Sequence, residues 1–123
     1  MFFEAQNIAN GNSAPSFGIE VQLGLHSGYY KCLGRNLVQL TDIGYIYKTD
    51  AVPVLRSNGA IATHTYHLTF SRDFKTCTGN LSFLFFTTGS NPFKRHNVPI
   101  LVGSMATVTG ELLDGRNYKW PSD

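Results

Sequence analysis

Residues able to move a proton or anchor a ligand are sparse in this chain, and Asp42, His64 and Tyr66 stand out. His64 and Tyr66 are two positions apart, so in an extended segment both point to one face, together with Leu68 and Phe70. An imidazole and a phenol on an otherwise apolar face supply the few polar contacts that orient an apolar ligand. The imidazole can also exchange a proton, with Tyr66 as its partner. The plainer alternative is a hydrogen-bonded core histidine beside a tyrosine. Asp42 alternates with Val38, Leu40 and Ile46; pointing inward, it needs a partner such as Arg35, Arg56 or a tyrosine hydroxyl, and becomes a ligand contact. The opposite register, with Leu37, Ile43 and Tyr45 inward, is equally open.

Other chemistries find no motif. The histidines are His26, His64, His67 and His96. His64 and His67 are three apart and point to opposite faces of a strand, and neither Cys-x-x-Cys nor His-x-His occurs, so no metal site is expected. A Gly-x-Ser-x-Gly elbow, a Gly-x-Gly-x-x-Gly fingerprint and a Walker loop are all missing, so neither a nucleophilic serine nor a nucleotide cofactor is expected. Phe83, Phe85 and Phe86 read as core or ligand wall rather than a base-stacking platform, because no basic residues surround them. Lys94-Arg95-His96 comes nearest to a basic cluster and reads as a solvated loop. With a net charge of +2, no nucleic-acid partner is expected.

The elements that hold these residues are strands. Residues 37–48, 60–71, 78–87 and 103–113 alternate with period two, and no window carries helical spacing free of Gly, Pro or β-branched runs. Turn signals separate them: Leu33-Gly34-Arg35-Asn36, Ser57-Asn58-Gly59, Ser71-Arg72-Asp73 with Thr78-Gly79, and Asp114-Gly115 with a short return strand from Arg116 to Trp120. Thr88 to Pro99 is a loop. At the N-terminus, Phe2 to Gln6 reads as an edge strand and Asn7 to Ser16 as a polar loop. Gly18 to Leu25 and Gly28 to Cys32 resume the extended pattern. The count is six to eight strands in meander order, an all-β barrel or half-barrel rather than a mixed fold.

The 123 residues fit a single domain, 1–123, with 1–17 as edge strand and polar loop. A 42% apolar and 15% charged composition, with nine Phe and six Tyr, suits one packed core. No stretch approaches the roughly 20 apolar residues of a bilayer span. Met1-Phe2-Phe3-Glu4 lacks the pattern of an export signal, so the chain reads as cytoplasmic as written, or as exported after removal of one. Cys32 and Cys77 fit either one disulfide or two free thiols. Asn80-Leu81-Ser82 matches a glycosylation sequon, which matters only for a secreted eukaryotic chain.

A likeness accompanies the pattern. Gly28-Tyr29-Tyr30 follows FEAQNIANGNSAPSFG; Gly34-Arg35-Asn36 and Gly44-Tyr45-Ile46-Tyr47 come next. Tyr66 to Asp73, Thr78-Gly79, Leu84-Phe85-Phe86, Asn91-Pro92-Phe93 and Thr109-Gly110 complete it. In this order of turns and aromatics the chain resembles an uncharacterised bacterial group of small calycin-like, or lipocalin-like, β-barrels. The likeness covers residues 2 to 110 and implies a barrel whose first strand is lacking here. An exposed sheet edge would follow, and with it a homodimer through strand addition.

The functional expectation is a binding module that takes one small apolar molecule, with His64, Tyr66, Asp42, Phe70, Phe83 and Phe85 as the wall. The alternatives are an interaction barrel acting as a strand-paired dimer, and a cofactor-free cyclase or isomerase using His64, Tyr66 and Asp42. An enzyme is the less favoured reading.

Overall fold

The computed structural model describes residues 1–4, 12–14, 19–49 and 59–112. Its elements are strands β1 (Phe2–Glu4), β2 (Asn12–Ala14), β3 (Ile19–Leu23), β4 (His26–Cys32), β5 (Leu37–Thr49), β6 (Ala60–Phe70), β7 (Thr76–Thr87) and β8 (Leu101–Glu111). Among the described residues there is no helix, and so none long and apolar enough to cross a membrane. Val, Ile, Thr, Tyr and Phe dominate the long strands, residues whose bulk at or near Cβ fits a pleated surface better than a helical turn. Asn12–Ala14, inside the expected polar loop, is paired with Ile19–Leu23 as a short hairpin arm.

The strands form one antiparallel sheet in the order β1-β4-β5-β6-β7-β8. β3 and β4 lie end to end along β5: β3 pairs with its C-terminal part and β4 with residues 38–43. Among the described residues β8 does not pair with β1, so the sheet is an open half-barrel. Its central hairpin, β5 with β6, runs in unbroken register from Leu37↔Thr69 to Ile46↔Ala60.

The open question of the β5 register resolves by burial. Asp42, Gly44 and Ile46 are buried, whereas Tyr45 and Tyr47 are 58% and 68% exposed. Both faces of this strand carry apolar residues, so alternation alone does not choose between them. The small residues do: Ala60 and Ala62 leave a shallow space into which Ile46 and Phe85 pack, with Phe83, Ile100 and Leu101 against them, and Gly44 leaves room for the His26 ring. Burial of side chains of this size stabilises by about 2 kcal/mol each. On the other face Ile61 and Phe86, directly opposite in the ladder, are buried as well.

Connections follow the sequence signals, except that Thr78-Gly79, expected at the reversal after β6, lies within β7, paired with Thr69 and Leu68. Leu33 N–H and Gly34 N–H both donate to the Leu37 carbonyl in the β4–β5 turn. In the β6–β7 turn, Ser71 Oγ–H and Lys75 N–H donate to Asp73 Oδ1, at 2.7 and 3.3 Å. The expected 88–99 loop is present, tied by Phe93 N–H donating to Asn91 Oδ1, with Lys94, Arg95 and His96 exposed on it. The Asp114-Gly115 hairpin, its return strand, Arg56 and residues 57–58 of the Ser57-Asn58-Gly59 turn lie outside the described residues. Cys32 shares a ladder row with Val38, Leu68 and Gly79, which sets it three strand spacings from β7. At about 4.8 Å per spacing, no bridge to Cys77 closes, and both thiols are free.

Candidate functional site

Asp42 and His64 are directly opposite each other on β5 and β6. Their ladder row extends to Gly28 on β4, Phe83 on β7 and Gly103 on β8. Row order thus places a carboxylate beside an imidazole, with a phenyl ring beyond and a glycine at either side. The Phe83 ring occupies the space over Gly103, where an added Cβ would fall 2.1 Å from it.

A third group arrives by plain alternation along β4, where His26 is two positions from Gly28, the partner of Asp42. Leu23 pairs with Ile46 and Ser27 with Ile43, so four steps along β3–β4 answer three along β5. The register shift between Gln22 and Leu23 offsets this step, since Val21↔Thr49 and Ser27↔Ile43 keep one frame, and the irregularity is confined to the β3–β4 junction. Gly24 N–H donates to the Tyr45 carbonyl at 2.7 Å, and Leu25 is exposed. His26 then enters the inner face, its ring lying over Gly44. A Cβ at position 44 would be 2.4 Å from ring atoms Cγ and Cδ2, so any residue larger than glycine displaces the imidazole.

The resulting cluster is compact and dry. His26, Asp42 and His64 are 0%, 2% and 5% exposed. His64 Nδ1 lies 3.3 Å from Asp42 Oδ1. The two imidazoles stack, with centroids 4.7 Å apart and planes 19° from parallel. His26 Nδ1 is 3.0 Å from the Gly24 carbonyl, which accepts but cannot donate. The proton is thereby assigned to Nδ1, leaving Nε2 the acceptor nitrogen of the neutral ring. Tyr66 and Phe83 meet His64 edge-on, at 6.2 and 6.4 Å. An imidazole–carboxylate pair held this rigidly can anchor a polar ligand group, relay a proton or bind a cation.

Beyond Tyr66 the inner face opens into a groove of about 580 Å³, lined by Phe2, Phe3, Leu40, Tyr66, Leu68 and Val108, with Cys77, Thr109 and Glu111 as its more polar side. Phe2 and Phe3 come from one end of the strand order and Val108 from the other, so sheet curvature turns the two edges toward one groove. Tyr66 is the hinge of the arrangement: it lines the groove and touches His64.

Of the six residues expected to form a ligand wall, Asp42, His64, Tyr66 and Phe83 are brought together. Phe85 is next to Phe83, with ring centroids 5.4 Å apart, and belongs to the core cluster. Phe70 sits elsewhere, tilted against Phe74 beside a smaller cavity of about 340 Å³. His26 was not among the expected residues. Its sole sequence signal is Gly44, a glycine in the middle of a long strand, which marks a close approach. Comparison of the chain with known protein families, with curated proteins and with solved structures finds no match.

Proposed function

We propose that the protein is a binding module whose half-barrel groove takes one small, largely apolar molecule. One observation carries the reading: an apolar groove of about 580 Å³ ends on Tyr66, behind which stands the buried His64–Asp42 pair. That volume falls inside the range of roughly 300–1,000 Å³ usual for small-ligand sites, and the mix of apolar wall and few polar groups is theirs as well. Leu40, Leu68 and Val108 supply the contact surface, and the Tyr66 hydroxyl a polar contact. The test is titration with an environment-sensitive apolar fluorophore, followed by displacement with a medium-chain fatty acid. Saturable binding near one equivalent is expected, weakened at least about tenfold in Val108→Trp, whose indole fills the groove. Unsaturable binding, or binding unchanged in that variant, contradicts the proposal.

A second reading, self-association, draws on β8. Along its eleven residues this strand pairs with β7 on one side and, among the described residues, with no strand on the other. Unpaired edges recruit further strands. Sedimentation should then show a concentration-dependent dimer that Val102→Lys weakens. A monomer at all concentrations removes this reading and leaves the groove untouched.

A further inference from the structure

We propose that His26, Asp42 and His64 constitute a binding site for a divalent first-row metal ion, with zinc and cobalt as the probes. Two imidazoles and one carboxylate are the donor set such borderline cations favour. One ligand atom from each residue lies within 4.8 Å of the other two, and all three side chains are buried. Metal–ligand bonds of about 2.0–2.1 Å in tetrahedral array require donors roughly 3.3 Å apart. The three groups therefore need to close by about 1.5 Å at most, within reach of side-chain rotation on a fixed backbone.

Two further features fit the assignment. The Nδ1–H of His26 is held by the Gly24 carbonyl, the outer contact that commonly orients a ligating imidazole and commits its Nε2 to the metal. That ring packs on Gly44, where the absence of a side chain makes room for the imidazole beside His64. The stacked His26 and His64 rings do not yet converge on one centre. Loading turns the His64 ring about its Cβ–Cγ bond, and its contact with Asp42 is exchanged for contacts of both groups with the ion. Three protein donors then leave a fourth position for water or an anion. No donor lines the groove wall, so the two readings share only the His64–Asp42 pair behind Tyr66 and are tested by different probes.

The test uses the full chain, stripped with a chelator and titrated with Zn²⁺ by calorimetry and with Co²⁺ by visible absorption. One equivalent should bind saturably, with Co²⁺ giving ligand-field bands of a low-coordinate nitrogen and oxygen site. His26→Gln and His64→Gln should each lose at least a hundredfold in affinity with the circular dichroism of the wild type. The doubly substituted His67→Ala, His96→Ala protein should bind as the wild type does. X-ray absorption of the zinc-loaded wild type keeps the test decisive if the Gln variants fail to fold: two imidazole shells and an oxygen are expected. Lack of saturable binding by the folded wild type, sulfur in the first shell, or undiminished affinity in a folded His26→Gln variant each overturns the proposal.

Discussion

Replacing Gly44 with alanine tests how the site is built. In the middle of a strand, alanine ordinarily stabilises by about 0.5–1 kcal/mol over glycine, because less backbone entropy is lost on folding. Here the new Cβ would stand 2.4 Å from His26 Cγ and Cδ2 and 2.6 Å from Nε2. Carbon contacts settle at about 3.5–4.0 Å, so the ring must retreat by more than 1 Å. His64 is stacked on it with centroids 4.7 Å apart, and the His26 Nδ1–H donates to the Gly24 carbonyl, so no direction is open without loss. Overpacking of this kind costs about 1–3 kcal/mol. Set against the gain of about 0.5–1 kcal/mol, the net cost reaches about 2.5 kcal/mol, so at about 4 °C per kcal/mol for a domain of this size Gly44→Ala should melt up to about 10 °C below the wild type. In a His26→Ala background the obstruction is gone, and the same substitution should be neutral or stabilising. Urea and thermal unfolding of the four proteins of the cycle give the coupling directly. Equal cost of Gly44→Ala in both backgrounds would refute the placement of His26 over Gly44.

The other expectations are narrower. Ile46→Ala, at a side chain 1% exposed within the core cluster, should lower unfolding free energy by about 2–5 kcal/mol in urea titration. Asp42→Ala strips a buried carboxylate from His64 and should cost about 1–3 kcal/mol by the same measurement, with Asp42→Asn intermediate. Asp73 is held below the usual 3.8 by the Ser71 hydroxyl first and the Lys75 backbone N–H second. Its stabilising contribution is therefore complete above its unfolded pKa and is lost as pH falls through the lower folded one. A carboxyl-carbon NMR titration should show this midpoint rising in Ser71→Ala. A thiol reagent should titrate two cysteines in the native protein, exposed Cys32 faster than half-buried Cys77; no reactive thiol until a reductant is added would contradict the strand order.

Much of the sheet is legible in the sequence because period-two alternation and turn residues act locally. The segment 60–71 announces both its strand and its inward face, since Ala62, His64 and Leu68 alternate with Thr63, Thr65, His67 and Thr69. β5 announces its strand but not its face, because Val38, Leu40 and Ile46 compete with Leu37, Ile43 and Tyr45. What decides it is non-local: Ala60 and Ala62 across the ladder receive Ile46, and Gly44 receives His26. The same holds for the site. Asp42, His64 and Tyr66 can be picked out as polar residues on apolar faces, yet His26 joins them across the β4–β5 ladder, over Gly44, and which strands become neighbours is not written in local alternation. Phe70 shares the face of His64 in the sequence pattern, but it stands six ladder rows away, where strand length separates what alternation groups together.

Methyl-region NMR of the protein during titration with a medium-chain fatty acid probes the groove most directly. Shifts that saturate together at Leu40, Leu68 and Val108, with Leu25 and Val98 unmoved on exposed loops, are what the binding reading predicts. Shifts confined to exposed positions, or none at any excess of ligand, would contradict it.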